Sequence, residues 1–295
     1  MKSDTREVRV PAGYGSIAVK EWGEKVNHHA TMIALHGWMD NCSTFDPLIE
    51  CLTGDYHILG VDLPGHGLSS HYPPGVPYRN LSWIIDIRRV VKHFQLDKVI
   101  FLGHSLGAAL SLLYASIYPE EVEKIISCDI IKEATFEDHD IPKAMAKSLD
   151  LFLDVDRRPK TDRGFSREQA IQILIGAHTN GDISPKMAGY LLRRASVEKS
   201  DGLHFTRDGR LMGLVHQKFR VDDLINLYSQ MKCDLLILRG NSGTANMDHP
   251  HTKRILEVHK QRGAKIITLL GDHYFHLSHP KETARHVEEF LNKTS

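Results

Sequence analysis

A serine between two glycines, in the run Gly103, His104, Ser105, Leu106, Gly107, is where this 295-residue chain first offers chemistry. The apolar run Val99 to Leu102 ahead of it suits a buried strand, and Ala108 to Tyr114 behind it reads as a helix. A serine on so sharp a strand-to-helix turn is a nucleophile elbow. Its glycines let strand and helix approach closely, and the hydroxyl stands exposed at a helix amino terminus, where free amides favour negative charge. A hydroxyl alone is a weak nucleophile, so the reading demands a base within hydrogen-bond reach and a carboxylate to orient that base. His273 is the expected base, because Gly271, Asp272 and His273 directly follow the last strand-like run. Asp129, at the end of an earlier buried strand, is preferred as the acid, with a structural role at the neck of an insertion as its bland alternative. Asp248 is the alternative acid, beyond the stretch Asn241, Ser242, Gly243, Thr244, which holds no carboxylate. Acyl transfer also needs two donors for the oxyanion, and these are assigned to the backbone amides of Trp38, in His36-Gly37-Trp38, and of Leu106. His36 is read as fixing its loop rather than as a second base, and with His104 it is placed at the substrate. Asp62 to Gly67 forms a turn that shapes the same edge.

Positioning these residues requires a sheet whose strands end on one side. Two strands, Arg6 to Val10 and Ile17 to Trp22, read as an antiparallel hairpin. Strand then alternates with helix: Thr31 to Leu35, a helix at Phe45 to Leu52, His57 to Leu63, a helix at Leu81 to Phe94, Lys98 to Leu102, the elbow helix ending near Pro119, and Lys124 to Asp129. Continuous apolar runs joined by helices imply a parallel sheet covered on both faces. Between about Lys132 and Tyr228 the alternation stops, and Ala144 to Phe152, Arg167 to Ala177 and Lys186 to Ala195 have helical spacing. It resumes with a strand at Asp234 to Leu238, a helix at His251 to Arg262, a strand at Ala264 to Leu270 and a helix at Pro280 to Leu291. The expected organisation is an α/β core, 1–131 and 229–295, with a helical cap inserted at 132–228. Leu151, Phe152, Ile171, Leu174, Leu191 and Leu192 could line an apolar pocket there, although such spacing more often marks core.

Composition narrows the partners. Lys and Arg total 37 against 37 Asp and Glu, so no basic field would gather nucleic acid. Lys2, Asp4, Arg6, Glu7 and Arg9 crowd the first residues without an apolar segment, and no stretch has the length to cross a bilayer. The expectation is a cytoplasmic protein with free Cys42, Cys51, Cys128 and Cys233; its carboxyl end, Asn292 to Ser295, is not a peroxisomal SKL, although vesicle or peroxisome association stays open. The sequons at Asn41, Asn80 and Asn292 are then chance matches. His276 and His279 continue a three-residue spacing from His273, but no acidic pattern supports a metal, and no cofactor is expected.

HGW at His36, DLPGHG at Asp62, GHSLG at Gly103 and GDHYFHL at Gly271 together resemble the α/β-hydrolase superfamily over nearly the whole length. HGWMDNCSTFDPL from His36, CDIIKE from Cys128 and HFTRDGRL from His204 are similar to the serine hydrolase-like family related to kraken. The resemblance implies a mostly parallel eight-stranded sheet flanked by helices, a helical cap and an acyl-transferring serine. Many relatives place the acid after the strand that runs here from Asp234 to Leu238, whereas one subgroup carries it at the place of Asp129. The expected function is hydrolysis of carboxylic esters, with thioesters or lactones served by the same machinery. The alternative is a catalytically inactive hydrolase-fold binding or scaffold protein, motivated by the empty slot after Gly240. Ser105 excludes the dehalogenase and epoxide hydrolase chemistries, which need an aspartate at the elbow.

Overall fold

The computed structural model describes residues 5–25, 30–135, 141–158, 163–178, 183–213 and 218–292. Lys2, Asp4 and the carboxyl-terminal Lys293 to Ser295, read above for charge and targeting, lie outside these. The chain begins with an antiparallel hairpin, β1 (Thr5–Ala12) and β2 (Gly15–Trp22). There follow β3 (Thr31–Leu35), α1 (Asp46–Cys51), β4 (Ile58–Val61), α2 (Asn80–His93), β5 (Val99–His104), α3 (Leu106–Ile117) and β6 (Val122–Cys128). An insert then carries α4 (Ile141–Asp156), α5 (Arg167–Ala177), α6 (Pro185–Ala195), β7 (Ser196–Lys199) and β8 (Gly202–Phe205). The chain returns with α7 (Val221–Ser229), β9 (Asp234–Gly240), α8 (Pro250–Gln261), β10 (Lys265–Leu269), α9 (Phe275–Ser278) and α10 (Pro280–Leu291).

One eight-stranded sheet results, in the order β1-β2-β4-β3-β5-β6-β9-β10. Only the β1–β2 and β2–β4 pairs are antiparallel; the six strands from β4 to β10 run parallel, so their carboxyl ends share an edge. The central β3, β4 and β5 are buried at every residue, which explains why they read as unbroken apolar runs rather than as alternating ones. On one face Trp83, Ile87 and Val90 of α2, Leu110 and Leu113 of α3, Leu224 of α7 and Ile255 of α8 cover the sheet. On the other, Leu48 of α1, Phe275 of α9 and Val287 and Phe290 of α10 do so.

The two ends of the insert meet at a bridge between Thr135 and Phe219, and α7 beyond it packs against α3 and α8. The break in alternation read from sequence, 132–228, therefore includes a helix that belongs to the layer beside the sheet. Leu174, Leu191 and Leu192 form the insert's own core, together with Tyr274 and Leu277 from the loop after β10. Leu151 is instead exposed. The hairpin β7–β8 escapes sequence reading because its strands have four residues each and only His204 is buried. A buried ion pair ties α6 to the core: Arg194 donates to Asp62 Oδ2 at 2.9 Å while also engaging Glu7.

The four cysteines are free thiols. Asn41 and Asn80 are both buried, donating to Leu191 O and Glu133 Oε1, so those two sequons offer no surface for a glycan. Among the described residues no helix is long and apolar enough to cross a membrane.

Candidate active site

Ser105 stands between β5 and α3 with φ 50° and ψ −118°, in a region where an L-residue is strained. The strain is held by neighbours on both sides. Its N–H donates to Cys128 O at 3.1 Å, and its carbonyl accepts from Ala108 and Ala109. The flanking glycines are steric necessities: a β-carbon at Gly107 would collide with the Leu35 carbonyl, and one at Gly103 with the Ala108 backbone. The Leu106 N–H opens α3 and so has no partner within the helix ladder.

The turn after β3 is locked by two buried histidines of fixed tautomer. His36 Nδ1–H donates to Gly37 O at 2.7 Å while Nε2 accepts from Leu63 N–H at 3.0 Å. His66 Nε2 accepts from Met39 N–H at 3.0 Å. Burial drives both imidazoles below their ordinary range and keeps them neutral. The Met39 amide is thereby consumed, and Trp38 lies one residue before it with its indole donating to Leu211 O of the insert.

Asp129 follows β6 with φ 60° and is fully buried. Its Oδ1 accepts from Gly240 N–H at 3.0 Å, and its Oδ2 from Thr244 N–H at 2.8 Å, from Thr244 Oγ1 at 3.1 Å and from His273 Nδ1–H at 2.7 Å. The stretch after β9, which lacks a carboxylate of its own, therefore receives one from the neighbouring strand. Gly243 makes room, since a β-carbon there would collide with Asp129 Oδ1. Asp248, the alternative, is directed elsewhere: its side chain is 95% exposed and lies 3.4 Å from Lys253.

His273 is 4% exposed and reaches Asp129 through the loop after β10. That loop is stitched to the one after β9, because Gly271 N–H donates to Asn241 Oδ1 and Ser242 N–H to Gly271 O. His104 anchors it from the elbow side, with Nε2–H donating to the His273 carbonyl at 2.9 Å. The placement of His36 and His104 at the substrate is thus corrected. Both are fully buried: His36 holds two turns through both ring nitrogens, and His104 holds the His273 loop through Nε2, its Nδ1 having no partner among the described residues. His276 is buried against Thr44, and packing drives it down to about 3; His279 is bonded to Ser278.

Ser105 and His273 line one narrow cleft of about 50 Å³. Gly37, Trp38 and Met39 wall it from the core, Ala177, His178 and Arg207 from the insert, and Tyr274 from the β10 loop. Of these, His178, Arg207 and Tyr274 escape sequence reading as site residues, as does Thr244 behind them. Arg207 lies within a stretch that stands out in the sequence, but nothing there indicates which of its side chains turns inward.

Residues 30–197 match the family model for the alpha/beta hydrolase fold. The chain is 33% identical to a Drosophila melanogaster protein described as "Probable serine hydrolase", over 97% of this chain and 88% of that one. It is 30% identical to a Danio rerio "Serine hydrolase-like protein", over 100% and 91% of the two chains. Among solved structures it is similar to a hypothetical protein from Pseudomonas aeruginosa PAO1, with a TM-score of 0.82, 25% identity and coverage of 97% and 99%. An elbow serine at the carboxyl edge of a parallel sheet, with matches of this extent, means that the chain belongs to the α/β hydrolase fold family and to its serine hydrolase-like members.

Proposed function

We propose that this protein is a serine hydrolase that cleaves carboxylic esters, or acyl bonds of similar reactivity, through an acyl-enzyme intermediate. The observation that carries the reading is the 2.7 Å bond from His273 Nδ1–H to Asp129, made by a histidine that shares its cleft with Ser105. With Nδ1 protonated and held, Nε2 keeps its lone pair to take the serine proton as Ser105 Oγ attacks the acyl carbon. Asp129 steadies the imidazolium that forms. The Trp38 and Leu106 amides hold the oxyanion, which the spent Met39 amide cannot do. Collapse of the tetrahedral intermediate returns the proton from His273 to the leaving alkoxide, and water then repeats the sequence on the acyl-enzyme. In this reading the insert is the cap over the cleft, supplying His178 and Arg207 from its own residues.

The purified protein should label at Ser105 with a fluorophosphonate probe, and Ser105→Ala should lose labelling and about a million-fold in turnover of an activated ester. Absence of labelling, or esterase activity that survives Ser105→Ala, would refute the proposal and leave the inactive scaffold as the better reading.

A further inference from the structure

Arg207 brings to the cleft a positive charge that ester hydrolysis does not use. It sits within His204 to Leu211, and its backbone is clamped from both sides. Thr206 N–H donates to Ala195 O, and Thr206 O accepts from His71 Nε2 at 2.8 Å. Asp208 N–H donates to Gly65 O at 2.8 Å. The adjacent carboxylate is already taken: Asp208 Oδ2 accepts from Tyr78 Oη at 2.9 Å and from Arg210 at 2.7 Å. Among the described residues, Arg207 has neither an ion pair nor a hydrogen bond.

Arg207 is half-buried, and an arginine partly drawn out of water without a partner is costly unless a ligand supplies one. Burial pushes this guanidinium below its ordinary range, with no neighbouring carboxylate to offset it. A second polar group in the same wall is also unsatisfied. His178, more than nine-tenths buried, donates from Nδ1 to Leu174 O at 2.6 Å, while its buried Nε2 has no partner among the described residues. No Asp, Glu or Lys is among the described residues that line the cleft, so Arg207 is its one fixed charge.

We propose that Arg207 recognises a carboxylate carried by the substrate in addition to its scissile acyl bond, a proposal that rests on the hydrolase reading above. A planar guanidinium fork matches a carboxylate in shape. One guanidinium neutralises a monoanion, whereas a phosphate dianion would leave a net negative charge in a desolvated wall. The preferred substrates are therefore half-esters of short dicarboxylic acids, or esters whose alcohol portion bears the acid.

Two measurements test this, one of them without turnover. In a Ser105→Ala background, calorimetry with monomethyl succinate, glutarate and adipate should detect binding of at least one. Arg207→Gln should weaken that binding about a hundredfold, and Arg207→Lys should restore part of it. No binding by any member, equal binding of the neutral dimethyl esters, or tighter binding of a phosphonate analogue would overturn the proposal. In the active protein, the ratio of kcat/KM for mono-4-nitrophenyl glutarate to that for its methyl ester should exceed one and fall about a hundredfold in Arg207→Gln. Carboxymethyl butyrate against ethyl butyrate reads the same preference on the alcohol side. Fluorophosphonate labelling of Ser105 without any carboxylate preference on either side would sink the role of Arg207 alone. Failed labelling with intact carboxylate binding would sink the hydrolase reading alone.

Discussion

Asp129→Asn separates orientation of the base from everything else the site provides. The carboxylate accepts four hydrogen bonds, one at Oδ1 from Gly240 N–H and three at Oδ2 from Thr244 N–H, Thr244 Oγ1 and His273 Nδ1–H. Asparagine has one acceptor and one NH2, so each way of seating it sets a donor against a backbone donor. With the NH2 at the Oδ2 place, it opposes Thr244 N–H and drives the imidazole proton to Nε2, which removes the lone pair from the side that would face Ser105. With the NH2 at the Oδ1 place, it opposes Gly240 N–H, and the charge that steadies the imidazolium is still gone. One unmatched buried donor costs about 1–3 kcal/mol, a fall of roughly 2–5 °C in Tm for a chain of this size. Turnover should fall about 10⁴-fold, as for removal of a triad carboxylate in other serine hydrolases. Asparagine tolerates a positive φ as readily as aspartate does, so the 60° at this position does not confound the comparison. Asp248→Asn, at a side chain 95% exposed, should change stability by no more than about 0.5 kcal/mol and turnover hardly at all. Ester kinetics and thermal unfolding on the two variants suffice. If Asp129→Asn keeps activity within about threefold of the parent, or Asp248→Asn loses as much as it does, the assignment of the acid is wrong.

Three other perturbations probe the supports of the site. Burial raises Asp40 to about 7, only partly offset by the Asn41 N–H it accepts at 2.7 Å. Its protonated form is favoured by folding, so stability is greatest below the ordinary carboxylate value near 4 and declines as pH rises through about 7. Asp40→Asn keeps the acceptor and removes the titration, so its gain in stability, of order 1–2 kcal/mol at pH 8, should shrink toward pH 5; a gain independent of pH contradicts the mechanism. Arg194→Met leaves the Asp62 carboxylate buried without its cation and should cost about 3–5 kcal/mol in chemical denaturation. The double variant with Asp62→Asn should recover part of that loss, since asparagine removes the stranded charge but can match just one of the Cys42 and Leu68 N–H groups that Asp62 accepts, and strictly additive losses would argue against coupling. Gly107→Ala drives a methyl into the Leu35 carbonyl, and should lower both Tm and the rate of fluorophosphonate labelling; a variant with parental values of both would show that the elbow has slack.

The sequence made the order of the layers legible because the buried strands and amphipathic helices each carry a periodic signal many residues long. The four-residue strands of the β7–β8 hairpin and the single turn α9 are too short for one. Helix α7 has a clear apolar face, Val221, Leu224 and Tyr228, yet a helix gives no sign of whether it caps a sheet edge or covers a sheet face, and only the bridge at Thr135 and Phe219 decides. Ser105 and His273, the proposed nucleophile and base, are legible as neighbours of one cleft because Ser105 directly follows β5 and His273 lies in the short loop after β10. His36 and His104 also sit beside the site residues, and their misplacement at the substrate shows the limit of that inference. His36 uses both ring nitrogens, one donating and one accepting, to fix two turns, whereas His104 uses Nε2 alone to hold the loop that carries His273.

The proposed acid illustrates a further limit, since two separate stretches would share one function. The loop after β9 supplies donors, Gly240 N–H and Thr244 N–H, and a space at Gly243, while β6 supplies the charge that fills them. Read alone, Asn241 to Thr244 looks like a site that has lost its carboxylate; read with Asp129, it is the complement of one. The physical requirement is a carboxylate at His273 Nδ1, and either strand can meet it because β6 and β9 are hydrogen-bonded neighbours whose carboxyl ends lie side by side. What the requirement forbids is both at once. A second carboxylate at the exposed Thr244 would replace a donor to Asp129 with a like charge beside a buried carboxylate, which would raise a carboxyl pKa and cost stability. Thr244→Asp in the parent should therefore be destabilising, whereas in Asp129→Asn the same substitution restores a charge near the imidazole and should recover part of the lost turnover. An additive outcome, with the double variant worse than either single one, would mean that the loop after β9 binds only the carboxylate it already holds.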